Sequence, residues 1–150
     1  VGMENLPRKG PCILAVNHSL ATYDIALLFA AIYDSVRRIP RPLADNLFFK
    51  VPYLGELVEA CGGQRGTSEN AHKLLEDQQI LAVAPGGMRE ALRPSSQRYQ
   101  VRWEKRRGFV KLAFDTHYRI HIAFKQATKS GFVIGVVSDV FAQHAATKVT

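Results

Sequence analysis

The chain has 150 residues, of which 47% are hydrophobic and 22% charged, a composition typical of one globular domain. A chain of this length can bury roughly 70% of the surface that it exposes when unfolded, which excludes disorder as a description of the whole. The formal net charge of +7 favours acidic partners, namely nucleic acid, anionic lipid surfaces or phosphorylated substrates, and does not choose among them.

The cysteine content and the apolar runs indicate where such a protein works. Cys12 and Cys61 are too few for a disulfide scaffold and have no metal-type spacing, so we expect a reduced, intracellular protein with Cys12 buried. No membrane span is expected, because the longest apolar stretch covers residues 25–33 and a span needs about 20 residues. The sequence begins with Val1 rather than Met, which leaves open an anchor N-terminal to it.

The first third of the chain predicts a strand, a polar loop and a helix. Cys12–Val16 is a short apolar run after a Gly-Pro pair, which is typical of a buried strand. Residues 17–23 predict a loop, and a helix should begin near Thr22 or Asp24, with Thr22 as its N-cap. The apolar face of this helix comprises Ile25, Leu28, Phe29 and Ile32.

The middle of the chain alternates short strands with helices. Residues 41–45 predict a strand, and residues 47–61 an amphipathic helix that breaks at Pro52 and ends at a Gly-Gly pair. A further helix, capped by Thr67 or Ser68, should run to about Asp77. Residues 80–84 are the clearest second buried strand, and a Pro-Gly-Gly turn ends it.

The last third predicts a polar loop over residues 89–100, a helix over 106–116 and strands over 120–124 and 132–137. Phe109, Leu112 and Ala113 should face inward from that helix. Strands that alternate with helices predict an α/β fold with a largely parallel sheet.

The strongest local signal is His18 followed by Asp24. His18 comes just after a predicted strand and Asp24 opens the next helix, so a loop between them would let the two side chains meet. An imidazole held by a carboxylate is a general base, because the carboxylate fixes the tautomer and stabilises the protonated ring. A polar loop with a helix-capping acid is the alternative interpretation of the spacing.

Two glycine-rich segments could hold an anionic group. Gly86 and Gly87 follow a strand and let backbone approach a ligand closely, and the nearby Arg89 could grip a phosphate. Arg65 sits among glycines in a predicted loop and suits an anion equally well. An ordinary turn with a solvated arginine, or a helix C-cap, explains each segment as well from local sequence alone.

A basic stretch follows, with nine Lys or Arg and three acidic residues between Arg89 and Arg119. Trp103 lies within it, beside Arg102 and Lys105. Basic residues around an aromatic side chain can bind a membrane surface, nucleotide phosphates or single-stranded nucleic acid. A basic face that is simply solvated is the alternative interpretation.

Taken together, these motifs resemble the blocks of glycerolipid acyltransferases of the lysophosphatidic acid acyltransferase type. Asn17-His18 with Asp24, Arg65 in a glycine-rich segment and the run Pro85-Gly-Gly-x-Arg89-Glu90 occur in the family's order. The likeness is greatest to the branch of transmembrane protein 68 and the plant phytyl ester synthases. It covers residues 2–114, and the segments 41–45, 66–71 and 106–109 add to it.

The resemblance implies a glycerol-3-phosphate acyltransferase-like α/β fold with a largely parallel sheet flanked by helices, over one catalytic domain at residues 1–150. It implies that His18 and Asp24 are catalytic, and that an acceptor hydroxyl directly attacks an acyl thioester. The donor would be acyl-CoA or acyl-carrier protein, as a co-substrate and not a resident cofactor, and no metal is implied. Arg65, Gly86, Gly87 and Arg89 would bind substrate.

Departures from the family pattern bear on the acceptor and on the C-terminus. Five residues separate His18 from Asp24, one more than is common, and Gly86 stands where the family usually has Glu. The second change favours a neutral acceptor such as diacylglycerol over a lysophospholipid. After about residue 117 the likeness fades, so the sequence predicts a domain that is incomplete or altered there.

The expected activity is therefore acyl transfer to a lipid hydroxyl in phospholipid or related lipid synthesis, by a membrane-associated intracellular protein. Its partners would be an acyl thioester, a lipid acceptor and a membrane surface, and not nucleic acid, since no nucleic-acid-binding motif is visible. A non-catalytic relative of the family and a basic nucleic-acid-binding module are the alternative hypotheses.

Overall fold

A computed structural model describes residues 2–17, 23–87, 106–128 and 131–137, with side chains described over 2–17, 25–87 and 106–123. Within these ranges lie six strands at Cys12–Val16 (β1), Arg41–Ala44 (β2), Gln64–Arg65 (β3), Ile80–Val83 (β4), Ile120–Thr128 (β5) and Gly131–Val137 (β6). Four α-helices are described there in full, at Tyr23–Val36 (α1), Leu54–Ala60 (α2), Ser68–Glu76 (α3) and Gly108–Thr116 (α4). Single 3₁₀ turns occur at Met3–Asn5 and Phe48–Lys50.

The strands form one sheet in the order β3-β2-β4-β1-β5-β6. The first five strands in that order are mutually parallel, and only β6 runs antiparallel, as the partner of β5 in a hairpin. The predicted α/β fold with a largely parallel sheet is therefore confirmed. The strands predicted at residues 12–16, 41–45, 80–84, 120–124 and 132–137 are all present; the first has the predicted ends, and the others differ at one end by one to four residues.

β1 is the centre of the sheet and is buried on both faces. Cys12, Leu14 and Val16 point to one face, where they pack with Leu28 and Ile32 of α1. Ile13 and Ala15 point to the other face, which α3 and α4 cover through their buried residues, Ala71, Leu74, Leu75, Leu112 and Ala113. A parallel strand covered by helices on both sides needs the unbroken apolar run that the sequence has here.

Helix ends follow the local sequence. The Thr67 Oγ1 accepts a hydrogen bond of 3.1 Å from the Asn70 backbone N–H, which confirms Thr67 as the N-cap of α3. At the end of α2, the Gly62 N–H donates to the Glu59 carbonyl and the Gly63 N–H to the Val58 carbonyl, both at 2.8 Å. Gly62 has a φ of 79°, so these bonds form the glycine C-cap that the sequence predicts. The predicted cap of α1, Thr22, lies outside the described residues.

Two predictions about residues 47–65 need correction. The helix expected from residue 47 is shorter, because the segment before Pro52 is only a 3₁₀ turn and α2 begins at Leu54. Val51 is extended, with φ −90° and ψ 127°, as the ring of a following proline demands. Arg65 is not in a loop, because it is the second residue of β3 and pairs with Ala44 of β2.

Arg38 joins three segments at the amino edge of the sheet. Its Nη1 donates to the carbonyls of Pro7 and Gly10 at 3.0 and 2.7 Å, and its Nη2 donates to the carbonyl of Gln78. Hydrogen bonds from a charged donor are worth about 1.5–3 kcal/mol each. This edge is therefore closed by structural bonds, and Arg38 has a structural role.

No helix within the described ranges has the length and apolar character needed to cross a bilayer. Half of the large apolar side chains that are exposed among the described residues lie between β2 and β3. They are Leu47, Val51, Tyr53 and Leu57, of which Tyr53 is the most exposed at 81%. Leu27, Tyr33, Ile39 and Phe114 are exposed elsewhere. No residue of α2 is buried, so this helix does not contribute to the hydrophobic core.

Candidate active site at the carboxyl edge of the sheet

The carboxyl ends of the five parallel strands meet at one edge of the sheet. The register pairs Ala15 of β1 with Val83 of β4, so Asn17 and Pro85 each come two residues after that pair. Asn17 is partly buried and Pro85 is buried. The chain therefore leaves β1 at Asn17 directly beside the start of the Pro-Gly-Gly turn.

The connections that leave these two strands diverge. From β1 the chain passes through α1 to β2, on the far side of β4, and from β4 it passes through α4 to β5, on the far side of β1. Right-handed crossovers that run in opposite directions place their helices on opposite faces, as the two core clusters show for α1 and α4. Such a switch point leaves a crevice between the two strand ends, and ligands of open α/β sheets bind there.

The predicted catalytic pair borders this crevice in sequence. The structure describes the chain after β1 as far as Asn17. Helix α1 begins at Tyr23, so Asp24 is its second residue. His18 itself lies outside the described residues, and so does the side chain of Asp24. Their contact and the loop between them stay predictions, while the end of β1 at Val16 and the start of α1 at Tyr23 agree with the sequence.

The Pro85-Gly86-Gly87 turn is well defined by its own backbone. The Gly87 N–H donates to the Ala84 carbonyl at 2.9 Å. Gly87 has a φ of 52°, a backbone conformation that residues other than glycine rarely adopt. Gly86 is buried. Arg89, the predicted anion ligand after this turn, lies outside the described residues.

Arg65 is held at the end of β3 by three kinds of contact. Its backbone pairs with β2, and its carbonyl accepts from the Thr67 N–H at 2.8 Å and from the Asn70 Nδ2 at 3.0 Å. Its guanidinium lies over the Phe49 ring, with Cζ 4.6 Å from the ring centroid. Within the described parts of the chain, no carboxylate or carbonyl accepts from that guanidinium. Arg65 is thus exposed and oriented, with its N–H donors available to an anion.

Among the predicted site residues that the structure describes, Arg65 lies apart from Gly86 and Gly87. Adjacent strands are about 4.8 Å apart, so β3 lies roughly 10 Å from β4 and roughly 14 Å from β1. Gly86 and Gly87 adjoin the crevice, whereas Arg65 lies two strands further along the same edge. A single extended substrate could reach both places, but one small anion could not.

Arg106 is a residue at this edge that the sequence did not indicate as part of the site. Its Nη1 donates to the Gly86 carbonyl at 3.1 Å and lies 3.4 Å from the Pro85 carbonyl. In the sequence it was visible only as one of two arginines before Gly108, with nothing to show which one turns back to the glycine turn. A contact across 20 residues cannot be read from local pattern.

Cys12 is excluded as a nucleophile by its position in β1. It is fully buried, and burial raises the pKa of its thiol to about 12, although the Arg38 charge acts in the opposite direction. The reactive thiolate is therefore a negligible fraction near neutral pH. Cys61, by contrast, is exposed at the end of α2.

Comparison with known proteins identifies the family of this chain. The family model described as Acyltransferase matches residues 1–125 and so extends beyond residue 114, where the sequence motifs end, into β5. A protein of Bos taurus named "DGAT1/2-independent enzyme synthesizing storage lipids" is 33% identical over 131 residues, which are 87% of this chain and 39% of that protein. The Homo sapiens protein of the same name is 34% identical over 131 residues, covering 87% of this chain and 40% of its own length.

A bacterial relative shows a similar level of likeness. An uncharacterized protein of Mycobacterium tuberculosis is 31% identical over 118 residues, which are 77% of this chain and 33% of that protein. The chain spans about two fifths of the length of the animal relatives that it matches. Because the family model covers well over half of its residues, this chain belongs to the acyltransferase family.

Proposed function

We propose that this chain transfers a fatty acyl group from acyl-CoA or acyl-carrier protein to a lipid hydroxyl, with His18 as the general base. The observation that carries the proposal is that β1, whose described part ends at Asn17 directly before His18 in the sequence, ends at the switch point of the sheet beside the Pro85-Gly86-Gly87 turn. Family membership and relatives named for the synthesis of storage lipids support the same chemistry.

The proposed reaction needs no covalent intermediate on the protein. His18 accepts the proton of the acceptor hydroxyl as its oxygen attacks the thioester carbonyl carbon, forming a C–O bond. The tetrahedral intermediate then expels the thiolate, which takes the proton from the imidazolium, so an ester and a free thiol result. Asp24 would stabilise the imidazolium between these steps. Burial of Cys12 in β1 supports direct attack, because it removes one candidate nucleophile.

The acceptor that we propose is neutral, with diacylglycerol as the first candidate and a lysophospholipid as the second. Gly86 is buried in a turn, where the family usually has a Glu. The name of the animal relatives, which refers to storage lipids, agrees with a neutral acceptor.

Arg65 and Arg89 are proposed to hold the anionic part of a substrate, which for a neutral acceptor is the phosphate-bearing donor. For Arg65 the support is its orientation by the Phe49 ring and the absence of an acceptor for its guanidinium within the described residues. An oriented guanidinium presents N–H donors that match phosphate oxygens.

A membrane surface is the proposed meeting place of the protein with its lipid acceptor. The part of the basic stretch that the structure describes has four exposed cations, Arg106, Arg107, Lys111 and Arg119, and Trp103 lies outside it. The exposed apolar side chains between β2 and β3 lie on the segment that begins at the carboxyl end of β2. Cations attract anionic headgroups, and apolar side chains insert between lipids.

Removal of the proposed base should abolish most of the activity. His18→Ala is expected to lower turnover with labelled acyl-CoA by at least ~100-fold, the lower range for general-base catalysis. Asp24→Asn should also lower it, because the imidazolium loses its support. His72→Ala, on α3 and away from the carboxyl edge, is the matched control. Near-normal turnover in His18→Ala with an unchanged melting temperature would rule out this mechanism.

Loss of an anion ligand should act on binding. In Arg65→Ala and in Arg89→Ala, the KM of one substrate should rise about tenfold, the effect of one charge-assisted hydrogen bond, with a smaller change in kcat. The substrate whose KM rises is the one that carries the anion. Unchanged KM values for both donor and acceptor would show that these arginines are structural.

Binding to lipid vesicles separates the two membrane contributions. Co-sedimentation should be stronger with anionic than with neutral vesicles and should fall as salt screens the charges, since each cation near an anionic surface is worth about 1 kcal/mol. The double variant Tyr53→Ser, Leu57→Ser should weaken the binding that survives high salt. Negligible sedimentation with both kinds of vesicle at low salt would contradict a membrane role for these surfaces.

A further inference from the structure

The turn after β4 is held in place by a residue 20 positions further along the chain. Arg106 Nη1 donates to the Gly86 carbonyl at 3.1 Å, and the Pro85 carbonyl lies at the outer limit of a hydrogen bond, at 3.4 Å. Arg106 comes two residues before α4, whose Leu112 and Ala113 are buried in the core. The guanidinium thus ties the turn to a helix whose position the core fixes.

Gly87 makes room for this contact. A Cβ atom at position 87 would lie 2.5 Å from Arg106 Nη1, closer than side-chain carbons approach other heavy atoms. The guanidinium therefore occupies the space that a side chain would need. Together with the φ of 52°, this gives two independent reasons for glycine at position 87.

The contact also orients the peptide groups of the turn. No peptide bond within the described residues is cis, and in a trans peptide the N–H points opposite to the C=O. With the Pro85 carbonyl directed at Arg106, the Gly86 N–H is directed away from it. The Gly87 N–H is already used, as the donor to the Ala84 carbonyl.

We propose that Arg106 is a positioning residue of the acyl-transfer site, which holds the carbonyls of Pro85 and Gly86 and so fixes the peptide groups beside the crevice. The proposal rests on the proposed function, because a fixed turn matters only if substrate reacts next to it. A residue that acts in this way changes the geometry of the reacting complex, so its loss lowers kcat more than it raises KM.

A double-mutant cycle tests the contact between Arg106 and the turn. Arg106→Ala should lower kcat about tenfold, the effect of losing one charge-assisted hydrogen bond. Gly87→Ala should lower it at least as much, because its methyl group displaces the guanidinium and the φ of 52° disfavours a side chain. In the Arg106→Ala background Gly87→Ala should lower kcat by a smaller factor than in the wild-type background, since the contact is already lost and only the cost of the φ remains.

Two results would overturn the proposal in this cycle. If the two effects multiply in full in the double variant, Arg106 and Gly87 act independently. If Arg106→Ala raises the KM of one substrate and leaves kcat unchanged, Arg106 is a substrate ligand instead.

Hydrogen exchange of the turn provides a readout that does not depend on activity. The backbone amides of Ala84, Gly86 and Gly87 should exchange about tenfold faster in Arg106→Ala than in the wild-type protein, because the turn opens more easily. Arg107→Ala is the matched control, since this adjacent arginine is also exposed and should leave the turn unchanged. Equal exchange in Arg106→Ala and Arg107→Ala would refute the positioning role, whereas a wild-type protein without acyl transfer would refute the proposed function alone.

Discussion

The burial of β1 on both faces is the constraint on which the rest of the structure depends. A strand whose five residues are all apolar and buried must have neighbours on both edges and helices on both faces. The crossovers that leave β1 and β4 run in opposite directions and place α1 on one face and α4 on the other. The crevice at the carboxyl ends of these two strands follows from that reversal, and Asn17 and the Pro85-Gly86-Gly87 turn lie beside it.

The two edges of the sheet use arginine in different ways. At the amino edge, Arg38 has its guanidinium bonded to the carbonyls of Pro7, Gly10 and Gln78, which leaves it no role with a ligand. At the carboxyl edge, Arg65 rests on an aromatic ring and has no acceptor within the described residues. Net charge alone cannot distinguish these cases, because what decides the role of an arginine is whether the backbone already satisfies its donors.

The sequence alone predicts the features that depend on residues close together in the chain. The apolar runs at Cys12–Val16 and Ile80–Val83 have no stable place except a buried strand, and Thr67 and Gly62 cap helices as their chemistry requires. The order of the family's motifs was enough to predict the fold and the family. By contrast, Gln64–Arg65 has no apolar pattern and is a strand only because β2 lies beside it. The contact of Arg106 with Gly86 depends in the same way on how α4 packs on the sheet.

The central claim is that substrate reacts in the crevice between the carboxyl ends of β1 and β4. Photolabelling with an acyl-CoA analogue that carries its reactive group next to the thioester tests this directly, because peptide mapping locates the labelled residues. We predict labelling within residues 17–24 and 84–87, competed by unlabelled acyl-CoA. Competed labelling confined to the amino edge, at residues 7–11 or 77–79, would contradict the account.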